Sequence, residues 1–234
     1  MNGTSRLPPT TIAVLFSSGL DSAVLLAYAA QENRGALVQP VYVRAGLAWE
    51  AEERAMAGRL LQSATFSTPQ ILPLVSLTVD MRDVYPPSHW AIRGQPPAYD
   101  TPDEDVYIDG RNVVLLSKAA VYMARAGIAR VMIGPLAGNP FPDASREFFD
   151  AMERALSIGL ASPIQIEAPL ATMHKDAVIS RGLSLQVPFE LTLSCMQPVD
   201  GLHCGRCSKC RERRDGFLTA GIADPTGYAS KPLR

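Results

Sequence analysis

A chain of 234 residues, 47% apolar and 19% charged, has the composition of one soluble α/β domain, or of one domain with a small appendage. Its formal net charge of −1 argues against a protein built mainly to grip a nucleic-acid backbone, which requires a strong basic excess. No apolar run reaches the roughly 18–20 residues of a membrane span, and the N-terminal MNGTSRLPPT has no charged-then-apolar leader, so the expected location is cytoplasmic.

Residues 11–16 (TIAVLF) are a short, continuous apolar run that predicts a buried strand. The turn SSGLDS follows, and 22–31 (SAVLLAYAAQ) predicts a helix. A second strand is expected at 38–43, a helix beginning near Trp49 and running through EAEERAMAGRLLQ, and a third short strand at 71–75. Between 78 and 105 stand Pro86, Pro87, Gly94, Pro96, Pro97 and Pro102, which predict a long loop or lid and not a packed element. Beyond it, 112–126 predicts a helix, 131–134 a strand, 143–156 an amphipathic helix, 164–167 a strand, 173–181 a helix and 208–218 a short final helix. This alternation predicts an α/β fold: a Rossmann-like parallel sheet with helices on both faces, binding ligands beyond the carboxyl ends of its strands. The expected division is an α/β domain over 1–190 and a zinc-binding segment over 191–234.

All four cysteines, Cys195, Cys204, Cys207 and Cys210, fall in one stretch spaced C-x8-C-x2-C-x2-C. Four thiolates are the donor set of a tetrahedral structural Zn2+. A redox pair would need only two of them, and common iron–sulfur runs have other spacings. Arg206, Lys209, Arg211, Arg213 and Arg214 crowd the same segment and read as a solvated helix face. The turn Ser17-Ser18-Gly19-Leu20-Asp21-Ser22, between a buried strand and a helix, offers backbone N–H groups and hydroxyls to an anion. Asp21 would repel a bare phosphate, so it points either to a bound Mg2+ or to helix capping. A plain capped turn is the competing reading. Walker and G-x-G-x-x-G nucleotide motifs are absent.

FSSGLDSAVLL resembles the SGGxDS loop of the N-type ATP pyrophosphatases, with Ser18 at the position usually occupied by glycine. The resemblance implies ATP held by Phe16, Ser17, Ser18, Gly19, Leu20, Asp21, Ser22 and Ala23. Asp109-Gly110-Arg111-Asn112 is similar to a PGRN segment, Phe141-Pro142-Asp143 with Arg146, Glu147 and Phe148 to a YPDCRPEF segment, and His174-Lys175-Asp176 to a T-K-x-E/D run. With the tail LTLSC…HCGRCSKCRERRDGF, these resemble the 7-cyano-7-deazaguanine synthase family of the queuosine pathway. That resemblance implies a carbon–nitrogen ligase using ATP, Mg2+ and Zn2+ to convert 7-carboxy-7-deazaguanine and ammonia to a nitrile, through an adenylated carboxylate and an amide. It casts Asp21, Arg111, Lys175 and Asp143 as catalytic residues. Arg111 and Lys175 would offset phosphate or carboxylate charge. Asp143 would pair with the guanine-like N–H edge, or else N-cap the helix after it. Trp49 and Trp90 are candidates to stack on a flat base, or simply to pack. After the second strand this chain reads VYVRAGLAWE where the family has a DYGQRH-like run. Two other readings stay open: a related pyrophosphatase adenylating a different carboxylate or a tRNA base, and a zinc-ribbon module binding nucleic acid. A homodimer also stays open.

Overall fold

In a computed structural model that describes residues 10–230, five parallel strands form one sheet in the order β3-β2-β1-β4-β5. The N-terminal stretch 1–9, read above as free of a leader, lies outside the described residues. The strands are β1 (Thr11–Leu15), β2 (Leu37–Arg44), β3 (Val75–Thr78), β4 (Arg130–Met132) and β5 (Gln165–Glu167). The helices are α1 (Leu20–Glu32), α2 (Glu50–Leu61), the single turn α3 (Trp90–Arg93), α4 (Arg111–Ala126), α5 (Arg146–Leu160), α6 (Lys175–Ser184) and α7 (Ser208–Ala220). No helix of the described residues is long and apolar enough to cross a membrane.

The continuous apolar character of β1 follows from burial on both faces. Ile12 and Val14 pack with α1 and with Ala57, Leu60, Val178 and Ile179 of α2 and α6. Ala13, pointing the other way, packs with Leu116, Ala120 and Met123 of α4 and Phe149 of α5. α1 is sandwiched so closely that Leu20, Ala23, Val24, Leu25, Leu26, Ala27 and Ala29 are all buried. A chain that runs β1 to β3 outward and then returns to place β4 beside β1 leaves a crevice at the carboxyl ends of β1, β2 and β4.

Three expectations need correction. The third strand begins at Val75, the last residue of the expected 71–75 run, and continues to Thr78. Val38 faces Ile71 but Val41 faces Val75, so one extra residue is inserted around Pro73. Pro73 has no N–H to donate; the Gln39 side-chain amide donates to its carbonyl at 2.6 Å and ties the irregular stretch to β2. The helix expected from residue 143 starts at Arg146, because the Ser145 hydroxyl accepts the Phe148 N–H at 3.1 Å and acts as its N-cap. The proline-rich stretch is packed. Tyr85 and Ala91 join Leu193, Cys195, Cys204, Cys207 and Cys210 in a second apolar cluster, and Ala98 bridges to Cys207.

α7 lies against α6 because Gly216 has no side chain. A Cβ there would sit 2.4 Å from Lys175 Cγ and 3.0 Å from Ile179 Cδ1. Gly216→Ala is therefore expected to destabilise the fold by about 1–3 kcal/mol through overpacking, seen as a lower urea midpoint with unchanged slope.

Candidate active site

The SSGLDS turn is knitted by its own hydroxyls. Ser22 Oγ donates to Gly19 O at 3.0 Å and accepts the Ser17 N–H at 3.3 Å, while Gly19 N–H reaches Ser17 Oγ at 3.4 Å. Ser18 has φ of 62°, a left-handed conformation that costs an L-residue about 1–2 kcal/mol. Two hydrogen bonds hold it there: its Oγ donates to Glu53 O, and its carbonyl accepts the Leu193 N–H, both at 2.9 Å. The first-turn N–H groups of Leu20, Asp21 and Ser22 have no intrahelical acceptor, by the geometry of any helix start, and all three residues line a cavity of about 300 Å³.

A chain of ion pairs crosses one wall of that cavity. Lys175 Nζ contacts both Asp21 oxygens at 2.9 and 2.7 Å and Glu212 Oε1 at 2.7 Å, and Lys209 Nζ meets Glu212 Oε2 at 2.6 Å. Burial works against the Lys175 ammonium, but Asp21 and Glu212 outweigh it and hold its pKa above the ordinary lysine value. Burial likewise opposes the Glu212 carboxylate, and Lys175 and Lys209 outweigh it, so its pKa falls below the usual range. Beside them Arg213 is 2% exposed. It donates to Thr192 Oγ1 and Phe189 O, both at 2.8 Å, and to Thr226 Oγ1 at 2.5 Å. Its acceptors are all neutral, and burial lowers its pKa.

The four cysteine sulfurs lie within 4.8 Å of one another. The closest pairs are Cys207–Cys210 at 3.5 Å, Cys204–Cys210 at 3.9 Å and Cys195–Cys207 at 4.0 Å. Zn–S bonds of about 2.3 Å in a tetrahedron place sulfurs about 3.8 Å apart, so the donor set fits zinc. Backbone N–H groups of Gln197, Cys204 and Arg206 point at the sulfurs from 3.2–3.3 Å. His203 next to them is structural: its Nε2 accepts the Ser194 N–H at 3.1 Å.

Across the cavity, Arg111 opens α4 with its Nε buried and without a hydrogen-bond partner. Asp143 accepts the Asn112 N–H at 2.9 Å and its carbonyl takes the Asn112 side-chain amide at 2.9 Å, so it caps α4 from outside and leaves its own helix to Ser145. Burial raises the Asp143 pKa, with the Asn112 N–H and Arg111 opposing. Trp49 and Trp90 both line the cavity and stack on each other at 5.7 Å and 10°. Glu53, one helical turn from Trp49, also faces it, and accepts the Tyr42 hydroxyl at 2.7 Å. Burial pushes the Glu53 carboxyl up to about 7, with Arg111 and Tyr42 opposing.

Residues 11–221 match the family described as Queuosine biosynthesis protein QueC. This chain belongs to the QueC family. A 7-cyano-7-deazaguanine synthase of Thermoplasma volcanium is 34% identical over 96% of this chain and 93% of its own length. Those of Solidesulfovibrio magneticus and Nitrosomonas eutropha are 34% and 32% identical, over 94% and 93% of this chain and 96% and 97% of their own lengths. A crystal structure described as a predicted subunit of tRNA methyltransferase from Methanocaldococcus jannaschii superposes with a TM-score of 0.50 over 96% of this chain and 92% of that one, at 13% identity, a likeness of fold alone.

Of the residues expected from the QueC resemblance, Phe16, Ser17, Gly19, Leu20, Asp21, Ser22, Arg111, Asp143 and Lys175 line one cavity. Ser18 and Ala23 are buried behind it: the Ser18 hydroxyl faces Glu53 O, and Ala23 N–H closes the first turn on Gly19 O. The reading of the basic tail as a solvated face is overturned, since Lys209 and Arg213 line the cavity and Arg211 holds Tyr99 O at 2.8 Å. Glu53, Tyr42, Lys209, Glu212 and Arg213 went unassigned in the sequence. Helical spacing carried the signal: Glu50 and Glu53 share a buried stripe with Met56, Ala57 and Leu60, and Arg213 shares one with Cys210 and Phe217.

The Glu53 carboxyl gives a pH prediction. Its pKa is raised from 4.5 to about 7 in the fold. The unfolded chain therefore releases this proton first, and stability present below pH 4.5 is lost as pH rises through about 7. Glu53→Gln removes that loss. Its urea stability is expected to match the wild type at pH 4.5 and to exceed it by up to ~3 kcal/mol at pH 8.

Proposed function

We propose that the protein is an ATP-dependent carbon–nitrogen ligase that converts the carboxylate of 7-carboxy-7-deazaguanine into a nitrile, using ammonia. The observation that carries this reading is that the SSGLDS loop and Arg111, whose Nε has no hydrogen-bond partner, open into one cavity. A loop of free amides and a guanidinium whose Nε has no hydrogen-bond partner let ATP phosphates and a substrate carboxylate meet. The names of the full-length relatives point the same way.

A carboxylate resists ammonia because its leaving group would be oxide. Attack of a carboxylate oxygen on the α-phosphorus of ATP expels pyrophosphate and makes AMP the leaving group. Ammonia adds to the acyl carbon, AMP departs and a proton is lost, leaving an amide. The amide oxygen is adenylated in the same way. Loss of a second AMP and of both N–H protons gives the nitrile. In this scheme Ser17, Gly19, Ser22 and the first-turn amides bind phosphate. Arg111 orients the carboxylate and neutralises charge as the adenylate forms.

Lys175 pairs with both Asp21 oxygens and is held at the loop by them, and the acceptor positions this leaves on the partly exposed carboxylate would take the Mg2+ brought by ATP. Cys195, Cys204, Cys207 and Cys210 would hold zinc, which would supply structural closure at the start of α7, the helix that carries Lys209, Glu212 and Arg213 to the cavity. A thiolating reaction would need a cysteine outside that set, and the chain has four in all. The enzyme is proposed to work in the cytoplasm on small molecules.

Incubation with ATP, ammonium and 7-carboxy-7-deazaguanine should yield AMP and the nitrile, followed by mass. AMP and nitrile or amide from another acid, with none from this one, would overturn the substrate. Arg111→Met should lower kcat/KM about 100-fold or more with zinc content and unfolding midpoint unchanged; full activity in that variant would remove Arg111 from the mechanism.

A further inference from the structure

Two glutamates of α2 are buried one turn apart, and they differ in how they are satisfied. The Glu50 carboxylate receives the Ala45 N–H at 2.5 Å and the Gly46 N–H at 3.1 and 3.2 Å, with Arg44 at 3.9 Å. Those bonds shape the chain after β2, and Glu50 does not line the cavity. Glu53, 8% exposed, receives the Tyr42 hydroxyl at 2.7 Å and the Trp49 indole N–H, and faces the cavity. A carboxylate has about four acceptor positions, so about half of those on Glu53 are left for a ligand. Such a group is expensive unless a ligand fills it.

Its surroundings say what kind of ligand. Glu53 lies one helical turn from Trp49, and the Glu53 N–H bonds Trp49 O at 3.1 Å, so a flat aromatic surface and a carboxylate are fixed side by side on one face of α2. A flat heterocycle carrying two adjacent N–H donors fills both carboxylate oxygens while its face rests on the indole. The guanine-type ring, with a ring N–H next to an amino group, has this edge; ammonia and ATP phosphate do not. Asp143, the other cavity carboxylate outside the lysine network, already holds the Asn112 amide at the start of α4.

We infer that Glu53, steadied by Tyr42 and flanked by Trp49, is the specificity-determining residue that reads the N–H edge of the heterocyclic substrate. The inference rests on the ligase reading above and deepens it. Tyr42 from β2, Glu50 from α2 and Arg111 from α4 are the titratable and charged groups that face the Glu53 carboxyl. The ligand's donors favour the ionised form, and burial alone favours the protonated one. Binding therefore draws on the ionised fraction, which rises about 10-fold between pH 6 and pH 8 for a group titrating near 7.

The test compares 7-carboxy-7-deazaguanine with the same acid lacking its 2-amino group, in wild type, Glu53→Gln and Asp143→Asn. Dissociation constants and kcat/KM are both measured, with zinc content and the unfolding midpoint as controls. Wild type should prefer the parent acid by about 100-fold or more, and Glu53→Gln should reduce that preference to within about 5-fold, chiefly by losing the parent. Wild-type affinity for the parent should rise about 10-fold from pH 6 to pH 8. This arm needs no variant and stays informative if Glu53→Gln fails to fold. Undiminished discrimination in Glu53→Gln, its loss in Asp143→Asn alone, or a flat pH profile in wild type would overturn the assignment. Turnover of the parent acid by wild type tests the ligase reading separately.

Discussion

Lys175 is the node on which the site depends. One half-buried ammonium joins Asp21, in the first turn of α1, to Glu212, on the helix that leaves the cysteine cluster. Removing either carboxylate would leave a buried charge short of a partner, a large penalty. The SSGLDS turn and the cysteine segment are therefore bound to each other by electrostatics as well as by packing. The backbone adds a second tie, from Leu193 N–H to Ser18 O at 2.9 Å. Gly216 makes the arrangement sterically possible, since its missing side chain is the space that Lys175 runs through.

The cysteine cluster is in this sense part of the site. α7 starts from it, and successive turns of α7 bring Lys209, Glu212 and Arg213 to the cavity. Arg213 goes further, holding Phe189 O, Thr192 and Thr226 together around a buried guanidinium with neutral acceptors. The left-handed Ser18 is tied to the same segment through the Leu193 N–H. Its strain is tolerated because both its hydroxyl and its carbonyl are bonded to neighbouring elements.

Much of this was legible in the sequence where one residue type carries one constraint. The apolar run of β1, the small polar turn after it and the four clustered cysteines each have few physical solutions. Harder to read were the residues whose type misleads. Glu53 and Arg213 look like solvent-facing charges, and only their phase on α2 and α7 reveals that they point inward. Prolines between 78 and 105 signal irregular backbone correctly, but irregular backbone can still pack, as Tyr85 and Ala91 do. Asp143 stands just ahead of a helix and looks like its cap. Its carboxylate instead serves the start of α4, a contact across 31 residues that local sequence does not encode.

The most direct measurement follows the oxygen. With 7-carboxy-7-deazaguanine labelled with 18O at both carboxylate positions, adenylation at this site requires two AMP per nitrile, each carrying one 18O atom. Unlabelled AMP, or ADP and phosphate in its place, would contradict activation of the carboxylate by AMP transfer and with it the role given to the SSGLDS loop and Arg111.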